Sequence, residues 1–196
     1  PGRNASLQAG FFEPHFTLAM AVTSPILRAM QRRTAMVAVG ASTVRGVGGT
    51  GTAAAARGHL ATLDLNRFVV PTERRFRNIL DRETLALARA LPRGSRHWGL
   101  ARKLLNIFLR DALYNQYLCQ FYRLETIEHW LEIPLDSHVG KSLREELQTE
   151  LVPPWGTIKA LSPELSARFQ AAARVAATSK GIAPVHLDLF YWRGHD

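Results

Sequence analysis

The longest apolar pattern in the chain runs from Leu100 to Leu118 and predicts a helix at the centre of the fold. Its apolar residues cover most of the helix circumference, as is typical of a buried helix. They are Leu100, Leu104, Leu105, Ile107, Phe108, Leu109, Ala112, Leu113, Tyr117 and Leu118. At about 100° per residue, the polar exceptions Lys103, Asn106 and Arg110 fall within about 60° of one another. We expect this narrow polar stripe to line a cleft.

Shorter amphipathic patterns on both sides of this segment predict further helices. They cover residues 34–42, 52–63, 66–81, 82–91, 123–131, 138–151 and 162–180. Capping residues support the last two, because Asp136 or Ser137 precedes one of them and Ser162 and Gly181 bound the other. Residues 185–194 alternate apolar and polar side chains like a strand, although their aromatic content is also typical of a packed tail.

Together these patterns predict an all-α fold with two helical lobes around a cleft. Residues 1–33 carry little pattern and few acidic side chains, so we expect a disordered or weakly ordered leader there. One helical domain is expected to follow over residues 34–196. At 196 residues and 46% hydrophobic, the chain is long enough to bury a substantial core.

The cysteine content limits the classes of protein that remain. Cys119 is the single cysteine, so the chain forms no internal disulfide and cannot hold an iron–sulfur cluster alone. A lone thiol in an apolar pattern is typical of a reducing compartment, which predicts a cytoplasmic, nucleoid-associated protein of a bacterium. The sequence also contains no apolar run of about 18 residues, so no membrane partner is expected.

The formal net charge of +9 is unevenly distributed. Residues 67–110 contain eleven basic and three acidic side chains, whereas residues 111–150 contain three basic and eight acidic ones. Arginine supplies ten of those eleven basic residues, and its planar guanidinium binds phosphate through paired hydrogen bonds. This basic segment predicts either a solvated helix face or a surface that binds a polyanion, most simply nucleic acid.

A glycine-rich stretch, residues 44–52, separates two of the predicted helices. Glycines before a helix N-terminus can hold a phosphate, because backbone amides approach the ligand closely there. No lysine follows Gly51, and no convincing strand precedes the stretch. We therefore favour a flexible connector over a nucleotide-binding loop.

Two motifs contain candidate catalytic residues. The first, LPRGSRHWGLARK over residues 91–103, places a proline and glycine turn before a helix that carries Lys103. The second, PLDSHV over residues 134–139, presents Asp136 at the start of another helix. Taken alone, Lys103 is typical of a lysine that reaches to solvent, and Asp136 is typical of a helix cap.

The two motifs resemble those of the helix-hairpin-helix DNA glycosylase superfamily, which includes endonuclease III and the 8-oxoguanine glycosylases. In that family a hairpin leads into a helix with a catalytic lysine, and a later turn presents a catalytic aspartate. The match covers about residues 91–145. The hairpin lacks the compact glycine spacing of the family, and Lys103 and Asp136 lie 33 positions apart, as in the archaeal 8-oxoguanine branch.

The resemblance implies a base-excision DNA repair enzyme, a glycosylase with a possible lyase step, that acts as a monomer without a cofactor. Its partner would be double-stranded DNA that carries a damaged base. Lys103 and Asp136 would be the catalytic pair. The expected DNA-binding residues are Arg93, Arg96, Arg102, Asn106, Arg110 and His138. Extrusion of the base from the duplex uses aromatic side chains, for which the candidates are Trp98, Tyr114, Tyr117, Trp130, Trp155 and Trp192.

Two other functions remain open. A non-catalytic helical protein would use the arginine-rich segment to bind DNA or another partner without chemistry. A metal-dependent hydrolase would bring together the side chains of two short motifs, DSH and HLD, around a divalent ion. Its ligands would be Asp136, His138, His186 and Asp188.

Overall fold

A computed structural model describes residues 24–148, 150 and 152–192. Every regular element in this part of the chain is helical, which confirms the predicted all-α class. The α-helices are α1 (Pro25–Ala38), α2 (Thr52–Ala61), α3 (Glu73–Ala90), α4 (Trp98–Tyr114), α5 (Gln116–Tyr122), α6 (Ser137–Leu147), α7 (Pro163–Lys180) and α8 (Leu187–Trp192). Short 3₁₀ helices lie at Leu65–Phe68, Arg93–Ser95, Leu124–Trp130, Ile158–Ala160 and Pro184–His186.

Helix α4 is the central element, as its apolar pattern predicts. Eleven of its 17 residues are buried, and it packs against α1, α3, α5 and α7. Its first turn also meets the 3₁₀ helix Ile158–Ala160. This approach requires Gly99, because a Cβ at that position would lie 2.3 Å from the carbonyl oxygen of Ile158.

The buried apolar residues form two clusters. The first cluster takes its residues from α1 to α5, from the segment 124–131 and from Val185, with Phe68, Phe76 and Phe108 among its fully buried side chains. The second cluster lies among α6, α7 and α8, around Phe169. Trp98, at the start of α4, packs against the second cluster and so joins the two.

The predicted caps of α6 and α7 are confirmed. The Asp136 carboxylate accepts hydrogen bonds from the backbone amides of His138 and Val139 at 3.0 and 3.1 Å. The Ser162 hydroxyl accepts one from the Leu165 amide at 3.2 Å. At the other end of α7, Gly181 takes a left-handed conformation with φ of 66°. Polar caps therefore fix where both helices begin.

Two expectations are corrected. Helix α1 runs from Pro25 to Ala38, so the domain boundary expected at residue 33 falls inside a helix. Leu27 of this helix belongs to the first cluster. Residues 1–23 of the expected leader lie outside the described residues. Of the two interpretations of residues 185–194, the strand is wrong over the described residues, because Pro184 begins a 3₁₀ helix that continues as α8. Within the described residues, no helix combines the length and hydrophobicity needed to span a bilayer.

Candidate active site

Lys103 and Asp136 meet, as the two motifs predict. The Lys103 Nζ atom lies 3.4 Å from the Asp136 Oδ2 atom, and the lysine side chain is only 15% exposed. Helix α4 carries the lysine in its second turn, while the aspartate precedes α6. Residues 33 positions apart in the chain thus form one ion pair at the junction of the two clusters.

The two carboxylate oxygens of Asp136 have separate partners. Oδ1 caps α6 by accepting from two backbone amides, and Oδ2 faces the Lys103 amine. The cap therefore fixes the orientation of the carboxylate.

Two cavities share the Lys103–Asp136 pair as a common wall. The first cavity has a volume of about 640 Å³ and extends between the turns at residues 42–47 and the loop 155–159. The second cavity has a volume of about 520 Å³ and extends towards the end of α1 and the start of α8. Both volumes lie within the range typical of small-ligand sites, so each can accommodate a nucleobase or sugar.

Arg110 lies in the second cavity, one to two turns along α4 from Lys103. Its guanidinium contacts the carboxylates of Asp111, at 2.8 Å, and Asp188. Burial raises the pKa of Asp111 above its ordinary value, while the Arg110 charge opposes that rise. Arg110 thus faces the cleft as expected, but its guanidinium is already paired with two carboxylates.

The placement expected for Arg102 and Asn106 is wrong. The Arg102 side chain is 7% exposed and binds Glu132 and Asp81 at 2.9 and 2.7 Å. The Asn106 amide, also buried, donates to the same Glu132 carboxylate at 3.0 Å. The polar stripe therefore divides: Lys103 and Arg110 face the cavities, whereas Asn106 joins Arg102, outside the stripe, in an internal network that attaches α4 to Glu132.

The side chains of the remaining predicted DNA-binding residues do not line the two cavities. Arg93 and Arg96 are exposed around the 3₁₀ helix Arg93–Ser95. The Arg96 Nε atom donates to the Leu91 carbonyl at 2.9 Å. The His138 ring contacts the carbonyl oxygen of Tyr191 and so joins α6 to α8. None of the three is among the described residues that line the two cavities.

Of the six aromatic candidates for base extrusion, Trp155 lines a cavity beside Lys103. Its ring packs over Gly140 of α6 and meets Phe169 edge-on at 5.3 Å, so it is held rigidly. Trp98 covers Arg102 at 5.1 Å, and Trp130 packs against Phe76. Tyr114 stacks on His186, Tyr117 is exposed, and the side chain of Trp192 lies outside the described residues.

The four side chains of the metal-hydrolase alternative do not converge. Asp188 binds Arg110, while His186 binds Glu128 through Nε2 and Tyr114 through Nδ1. Among the described residues, no group of three or more His, Cys, Asp or Glu side chains has the geometry of a metal site. The arrangement therefore gives no support to that alternative.

Several residues that line the cavities were not predicted. Arg45 lies in the glycine-rich turns, and Lys159 lies in the loop after two prolines. Asp111 lines the second cavity, beside Asp188, which the sequence predicted only as a metal ligand of the hydrolase alternative. The glycines of residues 46–51 signalled a special backbone, but nothing in the sequence indicated that these turns lie beside Lys103.

Comparison of the chain with models of protein families, with curated proteins and with solved structures finds no match.

Proposed function

We propose that this protein is a DNA glycosylase that excises damaged bases, with Lys103 as the nucleophile and Asp136 as its acidic partner. The observation that carries the proposal is the 3.4 Å approach of Lys103 Nζ to Asp136 Oδ2 at the wall shared by two cavities. The motif resemblance motivates the pairing. The two hydrophobic clusters, with the cleft beside the helix that joins them, are consistent with the two-lobed arrangement expected for that family.

The chemistry requires a neutral amine beside a carboxylate. Asp136 can accept the ammonium proton through Oδ2, since Oδ1 is engaged by the helix. The freed Nζ then bonds to C1′ of the deoxyribose while the C1′–N bond breaks. The base departs with the bonding electron pair and takes the proton from Asp136, whose carboxylate is thereby ionised again. Opening of the sugar ring converts the adduct to a Schiff base, which water hydrolyses to release the enzyme.

Asp136 has a second role in this scheme. Departure of the base leaves positive charge on the sugar, and an ionised carboxylate close to C1′ stabilises that charge. The α6 cap holds the carboxylate in place before substrate binds. The carboxylate therefore needs no reorganisation during the reaction.

The charge distribution supports DNA as the substrate. The three acidic residues of the basic segment 67–110 all form ion pairs with arginines of the same segment. The pairs are Arg67–Glu83, Arg77–Glu73 and Arg102–Asp81. Other arginines of α3 are exposed to solvent; they are Arg74, Arg75, Arg82 and Arg89. Exposed arginines on one long helix provide the sequence-independent attraction that DNA phosphates require.

Incubation with duplex oligonucleotides tests the proposal. Each duplex carries one oxidised, deaminated or alkylated base, or an abasic site. The products are resolved as free base and as nicked strand. The proposal expects base release from at least one lesion without added metal. Salt-sensitive binding with neither base release nor nicking on any substrate would instead support the non-catalytic DNA-binding alternative.

A further inference from the structure

The two cavities on either side of Lys103 and Asp136 carry opposite charge. In the first cavity the charged lining residues of the described chain are Arg45, Lys103 and Lys159 against the single carboxylate of Asp136. In the second, Lys103 and Arg110 face Asp111, Asp136 and Asp188. A phosphate group is therefore attracted into the first cavity and repelled from the second.

Arg45 and Lys159 are also the cations that remain available for a ligand. Both are exposed, and within the described residues neither has a carboxylate within ion-pair distance. By contrast, Arg102 and Arg110 are each bound by two carboxylates. The sequence-based expectation placed phosphate contacts on Arg93, Arg96 and Arg102, which the cavity geometry does not favour.

The two segments that carry these cations are fixed to the core. The turns that hold Arg45 end at Gly49, whose amide donates to the Ser95 hydroxyl at 3.0 Å. Thr52 and Ser95, both fully buried, share a second hydrogen bond at 2.7 Å. The 3₁₀ helix that holds Lys159 lies directly against Gly99 of α4. The backbone positions of both residues are therefore set before a ligand binds.

We propose that Arg45 and Lys159 form a clamp for backbone phosphates of DNA beside the reacting nucleotide. This inference rests on the proposed function, because attack on C1′ by Lys103 places the sugar at the pair. The phosphates joined to that sugar must then lie nearby. The first cavity receives them, with one cation on each of two separate segments. In this proposal the glycine-rich turns position Arg45, one of the two cations of the clamp.

The clamp is tested by the salt dependence of DNA affinity. Fluorescence anisotropy measures binding of a duplex that carries a tetrahydrofuran abasic-site analogue at several salt concentrations. The slope of log K against log salt is negative, and each lost phosphate contact lowers its magnitude by about 0.9. We expect Arg45→Gln and Lys159→Gln to lower it by about 1 each and the double variant by about 2, whereas Arg45→Lys keeps the wild-type slope. Arg174→Gln, an exposed arginine on α7 outside both cavities, is the matched control and should also keep it.

A wild-type slope in the double variant overturns the clamp. The clamp is also overturned if Arg93→Gln and Arg96→Gln each lower the magnitude of the slope while the clamp variants do not. The phosphates would then bind at the 3₁₀ helix Arg93–Ser95. Failure of the proposed function has a different signature. In that case the wild-type protein neither releases a base nor forms a covalent adduct with DNA, whatever the slope. An active wild-type enzyme with an unchanged slope in the double variant rejects the clamp alone.

Discussion

Arg102 and Glu132 form a buried ion pair directly behind the cleft, with Nε and Oε2 separated by 2.9 Å and side-chain exposures of 7% and 13%. Two further side chains belong to this network: the Thr84 hydroxyl accepts a hydrogen bond from Arg102 Nη1, and the Asn106 amide donates one to Glu132. The network attaches α4 to α3 and to the segment before Asp136. It therefore fixes the helix that carries Lys103.

Removal of one partner should destabilise the fold strongly. Arg102→Met leaves the Glu132 carboxylate buried without its cation, which typically costs about 3–5 kcal/mol. Arg77→Met removes an exposed pair with Glu73 and should cost less than about 1 kcal/mol. Urea denaturation followed by circular dichroism measures both. Equal losses in the two variants would show that the Arg102 network does not hold α4.

Gly99 and Gly58 form a matched pair of helical glycines. A Cβ at Gly99 would lie 2.3 Å from the Ile158 carbonyl oxygen and 2.7 Å from Leu161 Cβ, whereas one at Gly58 would meet nothing within 4 Å. Gly99→Ala should therefore destabilise the protein by about 1–3 kcal/mol through overpacking. Gly58→Ala should stabilise it by about 0.5–1 kcal/mol, since alanine favours a helix. The midpoints of thermal unfolding should shift in opposite directions; a stabilised Gly99→Ala variant would be inconsistent with the close approach of α4 to residues 158–161.

The structural and chemical roles of Asp136 can be separated. Asparagine caps a helix as well as aspartate does, so Asp136→Asn should retain stability within about 0.5 kcal/mol. It removes the charge that faces Lys103, and the rate of base release should fall by about 10²-fold or more. Asp136→Ala should lose the same activity and about 1 kcal/mol of stability in addition. Single-turnover kinetics and urea denaturation test the two roles independently, and a fully active Asp136→Asn enzyme would leave Asp136 as a cap alone.

His59 should make stability depend on pH. Burial lowers the pKa of His59 from its ordinary value of 6.5, with Glu83 acting in the opposite direction, and its Nε2 atom is buried without a hydrogen-bond partner in the described residues. The unfolded chain therefore takes up a proton at a higher pH than the folded chain does. Stability should be fully present above about pH 6.5 and fall as the pH drops through that value towards the lowered folded pKa.

The variant His59→Leu cannot titrate and isolates this effect from the other histidines. Urea midpoints at a series of pH values should show a steeper acid loss in the wild-type protein than in the variant. Parallel profiles would mean that His59 titrates alike in the folded and unfolded states.

The sequence predicted the contact between Lys103 and Asp136, but few of the residues that surround it. Helical periodicity placed α4 at the centre, and the capping signal of Asp136 located the start of α6. The motif resemblance then paired Lys103 with Asp136. Angular spacing alone could not assign Asn106, because a helical projection shows which residues share a face and not which partner meets that face. Nor could the position of Arg102 beside the basic turn show that its side chain is buried. Glu132, 30 positions beyond Arg102 in the chain, decides their orientation.

The strand-like pattern near the C-terminus fails for a related physical reason. Alternation of apolar and polar residues over a few positions is ambiguous when aromatic side chains can pack on either face. In the structure, Pro184 starts a helical turn, and Val185 and Leu187 are buried in different clusters. Likewise, no local signal placed Arg45 and Lys159 at one cavity, since that depends on how the turns after α1 and the 3₁₀ helix Ile158–Ala160 lie relative to α4.

Borohydride trapping tests the central claim most directly. Reduction of the Schiff base should join the wild-type protein covalently to DNA that contains an abasic site or a susceptible base, and peptide mass spectrometry should locate the adduct on Lys103. Lys103→Gln should form no adduct, while Lys141→Gln, an exposed lysine on α6, should trap as the wild type does. An undiminished adduct in Lys103→Gln, or one located on another amine, would contradict the assignment of Lys103 as the nucleophile.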